Sequence, residues 1–118
     1  MGDARDDTCL FCRIVAGEIP ARTVHESDAI LAFRDVDPKA PTHVLLIPKA
    51  HVRDLTELGD AHADMLAELM QAAAHLADTE GLADGWRLVA NVGPAAGQSV
   101  LHLHFHLLGG RALGWPPG

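Results

Sequence analysis

Three histidines alternate with apolar residues in Leu101-His102-Leu103-His104-Phe105-His106-Leu107. Successive side chains of a strand point to opposite faces, so this pattern sends Leu101, Leu103, Phe105 and Leu107 one way and all three imidazoles the other. The imidazoles then stand about 6.6 Å apart, at a rise of roughly 3.3 Å per residue. Such a row packs poorly, because the rings are bulky and polar and their charged forms repel one another at lowered pH. A single histidine on a strand is ordinarily a solvated side chain; three in alternation point to chemistry. Two imidazoles at i and i+2 can converge on a metal ion, and a neutral imidazole can serve as nucleophile or as acid and base.

The residues upstream favour the second possibility. Gly93-Pro94-Ala95-Ala96-Gly97-Gln98-Ser99 is a loop of small residues whose backbone can approach a ligand closely, followed by an amide and a hydroxyl able to donate to phosphate oxygens. An anion held beside a histidine suits attack on phosphorus: the neutral ring attacks through its free nitrogen, and water later displaces it. The other ring nitrogen needs an acceptor that fixes the tautomer and steadies the developing positive charge, and the middle residue, His104, has polar neighbours on both sides. A second constellation is Cys9-x-x-Cys12, half of a tetrahedral metal site by spacing, and equally compatible with a redox pair or with bystander thiols.

These groups need elements to position them. A short helix is predicted from Cys9 to about Ala16, capped by Thr8 and stopped by Gly17 and Pro20. Strands are predicted at Thr23 to Glu26, Ala29 to Arg34, His43 to Ile47, Trp86 to Asn91 and Val100 to Leu108, with a tight turn at Ser27-Asp28. Between the third and fourth lies a long amphipathic helix from about Asp60, which can cap it, to Thr79; Met65, Leu66, Leu69, Met70, Ala73 and Leu76 form its apolar stripe. Five strands, one long and one short helix predict an α+β domain: an antiparallel sheet covered on one face. Residues 1–7 are expected to be disordered and 8–118 to form one domain.

Composition narrows the function. With 118 residues and 48% hydrophobic content the chain can bury one core, and its net charge of -7 with nine scattered Lys and Arg argues against a nucleic-acid backbone as partner. A small anion remains possible, since a local site need not follow the global charge. No apolar run approaches the roughly 20 residues that cross a bilayer, the first residues are acidic, and Asp6 replaces the Ser or Thr of a myristoylation signal. The expectation is a cytoplasmic protein, in which the cysteine pair serves metal or redox chemistry before a disulfide.

His102 to Leu108 resembles the H-φ-H-φ-H-φ-φ signature of histidine triad proteins, where φ is apolar. Phe11-Cys12-Arg13-Ile14, Ala32-Phe33-Arg34-Asp35, Ala40-Pro41-Thr42-His43, Ile47-Pro48-Lys49, Asn91, Gly97-Gln98-Ser99-Val100 and Trp115-Pro116-Pro117-Gly118 are similar, in order and spacing, to the nucleotide-binding branch of that family. The resemblance covers Cys9 to Gly118. It implies a purine nucleoside phosphoramidate hydrolase in which His104 forms a nucleotidyl-histidine intermediate, assisted by His43 and His106, with His102 orienting its neighbours. The alternatives are hydrolysis or nucleotidyl transfer on dinucleoside polyphosphates, and nucleotide-binding regulation with incidental hydrolysis. It further implies phosphate contacts from Gly97, Gln98, Ser99 and Asn91, ribose contacts from Asp35, a base slot of Leu10, Phe11, Ile14, Phe33 and Val36, and a homodimer with a continuous sheet in which Trp115 reaches toward the partner's site.

Without the resemblance, Phe11, Ile14 and Phe33 are packing residues, Asp35 a turn former, Asn91 a partner for the Gly93 turn, and Trp115 a side chain in need of burial. The resemblance also implies that His51 and His102 complete a structural Cys2His2 zinc site with Cys9 and Cys12. That assignment competes with a relay role for His102, because a ring nitrogen bound to metal cannot also pass a proton.

Overall fold

A computed structural model describes residues 5–118. Part of the segment expected to be disordered, residues 1–4, lies outside the described residues; Arg5 pairs with Asp7 and Glu18. The chain runs α1 (Leu10–Val15), β1 (Thr23–Glu26), β2 (Ile30–Arg34), β3 (Thr42–Pro48), α2 (Ala63–Thr79), β4 (Trp86–Ala90) and β5 (Phe105–Gly109). All neighbouring strands are antiparallel, in the order β1-β2-β3-β5-β4. No helix among the described residues is long and apolar enough to cross a membrane.

Strand alternation builds two apolar layers. Ile30, Ala32, Val44, Leu46, Phe105 and Leu107 meet α2 through Leu69, Ala72, Ala73 and Leu76. Leu31, Phe33, Leu45 and Ile47 meet Cys9, Phe11 and Cys12 of the α1 segment on the opposite face. The sheet is therefore covered on both faces, correcting the one-sided arrangement expected, and this explains the unbroken burial of β3. His43 and His106 lie on the α1 face, since Val44 and Leu107 beside them belong to the α2 layer.

Three local expectations also change. Cys9, not Thr8, caps α1, its Sγ accepting from the Cys12 N–H. Asp60 sits inside a 3₁₀ turn, Asp60–His62, and α2 starts at Ala63. Met70 is exposed, because the buried stripe of α2 runs through Leu69, Ala72, Ala73, Leu76 and Ala77 instead. At the triad, the ladder begins only at Phe105; Leu101 is 58% exposed and leaves the core face on which alternation placed it. His102 and His104 thus precede the strand. Leu103 N–H donates to Val52 O at 2.6 Å, attaching this lead-in to the segment that leaves β3.

Candidate active site

His104 is buried, and its Nδ1 lies 2.7 Å from the carbonyl oxygen of His102. A carbonyl only accepts, so Nδ1 carries the proton and Nε2 keeps its lone pair. The ring is wedged edge-on between Phe11, at 5.1 Å between centroids, and His106, at 5.0 Å. The acceptor that fixes the His104 tautomer is thus a backbone carbonyl two residues back.

The other two histidines are ordered by the same logic. Lys39 N–H donates to His43 Nδ1 at 3.0 Å, which leaves the His43 proton on Nε2. That Nε2 lies 2.9 Å from His106 Nδ1 and 3.4 Å from Asp35 Oδ2. Donation to His106 Nδ1 then places the His106 proton on Nε2. Burial pushes His106 down to about 4, helped by repulsion from His104 and His43. Burial also lowers His43, against the opposing pull of Asp35. Both rings are neutral near pH 7. Asp35, His43 and His106 bring ligand atoms within 4.8 Å of one another, yet a metal on His43 Nε2 would require its proton to leave while Nδ1 faces an N–H donor. The hydrogen-bonded relay is the arrangement that Lys39 allows.

A cavity of about 400 Å³ opens on this row, within the range of small-molecule sites. Leu10, Phe11, Ile14, Phe33 and Val36 line it together with Asp35, Ser99, His104 and His106. Asn91 lines a second cavity, of about 310 Å³, with Asp35, His43 and His106. Gly97 closes the 3₁₀ turn of the intervening loop at φ +92°, a conformation that favours glycine. Gln98 departs from its expected role as a phosphate donor: its buried Oε1 accepts from Gly93 N–H, and Nε2 donates to the carbonyls of Arg53 and Val100. The amide is spent on bracing the loop. Trp115 is 83% exposed and lines neither cavity. Sequence reasoning missed the Lys39 N–H, a backbone group with no residue signature, and Ile19, Pro20 and Ala21, which line the larger cavity but read as a connector.

Cys9, Cys12, His51 and His102 converge behind the triad, their ligand atoms within 4.8 Å of one another. His102 Nδ1 is 3.3 Å from Cys9 Sγ and 3.6 Å from Cys12 Sγ, and His51 Nδ1 is 3.3 Å from Cys12 Sγ. Tetrahedral zinc, with bonds of about 2.3 Å to sulfur and 2.0 Å to nitrogen, sets adjacent S and N ligands about 3.5 Å apart. The donor set and its spacing fit that ion. His102 Nε2–H donates to Pro48 O at 2.8 Å, so the lone pair on Nδ1 faces the sulfurs. Its ring therefore serves the cysteine cluster, while its carbonyl serves His104.

A family described as the HIT domain matches residues 16–113. A 14 kDa zinc-binding protein of Zea mays is 46% identical over 115 residues, covering 96% of this chain and 90% of that one. An Arabidopsis thaliana protein named adenylylsulfatase HINT1 is 48% identical over 117 residues, covering 96% of this chain and 78% of the other. The crystal structure of a HIT family hydrolase from Legionella pneumophila superposes with a TM-score of 0.91 at 52% identity, over 93% of this chain and 99% of that one. Sequence and fold agree across nearly the whole length, and the chain belongs to the HIT domain family.

Proposed function

We propose that the protein hydrolyses purine nucleoside phosphoramidates through a nucleotidyl-His104 intermediate, releasing a nucleoside monophosphate and an amine. The observation that carries this reading is the tautomer of His104: Nδ1–H is committed to a carbonyl, and a free Nε2 accompanies a cavity holding both apolar and acidic groups. The base would lie among Leu10, Phe11, Ile14, Phe33 and Val36, the ribose at Asp35, and the phosphate near Ser99, Gly97 and Asn91. As His104 Nε2 bonds to phosphorus, the P–N bond breaks and the amine leaves with a proton drawn from solvent, guided by a hydrogen bond from His106 Nε2–H. His43 Nε2–H holds His106 Nδ1 and so keeps that donor aimed at the departing nitrogen, while the nucleotidyl-His104 ring carries one positive charge. Water then attacks phosphorus and returns a proton to solvent, and His104 leaves as the neutral ring.

Cys9, Cys12, His51 and His102 would hold a structural zinc; closed coordination by four protein ligands supplies rigidity and no metal-bound water. The relatives named zinc-binding proteins support this assignment, and the reduced thiol pair suits a cytoplasmic setting. We also assign a homodimer with one continuous sheet, as the family resemblance implies, and place the junction at the free edge of β4.

The test compares wild type and His104→Ala on an adenosine phosphoramidate, a diadenosine polyphosphate and adenylyl sulfate. The last arm follows from the relative named an adenylylsulfatase. The phosphoramidate is expected to react fastest, and the variant to fall to background. Faster cleavage of either other substrate overturns the substrate assignment; equal activity in the variant overturns the mechanism.

A further inference from the structure

The peptide unit between His102 and Leu103 carries the acceptor that sets the nucleophile. Its carbonyl takes the His104 Nδ1 proton, and its N–H is bound to Val52 O. Both flanking anchors lead to one place. The His102 ring is held between the Cys9 and Cys12 sulfurs and Pro48 O, and His51, immediately before Val52, faces Cys12. His51 and His102 rings also meet edge to face at 5.1 Å. The segment 48–52 and the segment 102–103 are thus stapled together by side chains that all converge on the two sulfurs. The same cysteines bracket Phe11, whose ring packs against His104.

From this geometry we infer that the Cys9–Cys12–His51–His102 cluster is a positioning device for the nucleophile: it fixes the 102–103 peptide plane and thereby holds the His104 proton on Nδ1. A cluster acting only to stabilise the fold would pin α1 to the sheet and leave that tautomer untouched. A free imidazole can carry its proton on either nitrogen; with the proton on Nε2, no lone pair remains there to attack. The kinetic consequence rests on the phosphoramidase reading, whereas the tautomer does not.

The experiment uses the ¹⁵N-labelled full chain as purified, with its zinc content measured, and records long-range ¹H–¹⁵N spectra of the imidazoles without substrate. Wild type is compared with Cys12→Ser, with the milder His51→Gln at a half-buried corner, and with wild type titrated with a chelator. Leu69→Val, a core change on the opposite face of the sheet, controls for lost stability. Wild type and Leu69→Val are expected to show His104 with the proton on Nδ1 alone. The cluster variants and the chelated protein are expected to show both tautomers, with kcat on the best substrate lowered about tenfold, the usual scale for losing a group that orients a site residue. A folded chelated or His51→Gln protein that retains only the Nδ1–H form overturns the proposal, as does the same tautomer change in Leu69→Val. If wild type cleaves no nucleotide yet the tautomer responds, the functional reading fails and this inference stands.

Discussion

At the scale of single residues, proton positions in this site are dictated by groups that cannot titrate. The His102 carbonyl and the Lys39 N–H decide which nitrogen of His104 and of His43 is protonated, and His106 follows from His43. A measurable consequence attaches to His106, held at about 4 by burial. In the unfolded chain its value returns to about 6.5. Between those values the unfolded state binds more protons than the folded one, so stability is full above the unfolded value and declines as pH falls toward the folded one. The slope from this group is on the order of 1 kcal/mol per pH unit. Urea unfolding of wild type and His106→Asn, between about pH 7 and about pH 5, isolates it. Wild type is expected to lose stability more steeply with acid; parallel slopes would show that burial does not hold this ring neutral.

At the scale of elements, the three strands carrying the core, β2, β3 and β5, and the long helix were legible because their patterns are local. Period two in the triad sent Phe105 and Leu107 to the α2 face and His106 to the other, and the structure agrees. The pattern misled at Leu101, because side-chain anchoring of His102 to the cysteines, 90 or more positions earlier, draws the lead-in away from the ladder. Long-range contacts of this kind leave no mark in a window of neighbours. Gln98 misled for a related reason: its amide donates to the carbonyl of Arg53, 45 positions earlier, as well as to nearby Val100. The turn after β5 is also set by a distant contact. Gly110 has φ +91°, and a Cβ there would meet Pro41 Cβ at 2.9 Å, a rigid ring just before β3. The next residue, Arg111, donates to Lys39 O. Gly110→Ala should therefore cost about 2–4 kcal/mol, combining the positive φ with overpacking. It should also lower activity by disturbing the Lys39 loop that orients His43. A urea midpoint within error of wild type would mean that the turn yields without strain.

At the scale of the molecule, the unfinished surfaces lie together. β4 is one edge of the sheet, and a cavity of about 680 Å³ beside it is lined by Leu82, Trp86, Arg87 and Leu113. Trp86 is 42% exposed and Trp115 is 83% exposed, and these are the two tryptophans of the chain. An edge strand with unpaired backbone groups invites pairing with a second copy, which is the homodimer assigned above. Two copies each carrying -7 must approach against their own repulsion, which salt screens over a Debye length of about 8 Å at physiological strength. Association should therefore strengthen as salt is raised, opposite to a dimer held by ion pairs. Burial of Trp86 in that interface should also move tryptophan emission to shorter wavelength as the protein is concentrated. Sedimentation and emission measured over the same dilution series, at low and high salt, check both statements. A species of 12.6 kDa at every concentration, with emission that never moves, would show that the β4 edge stays unpaired and that each site is completed within one chain.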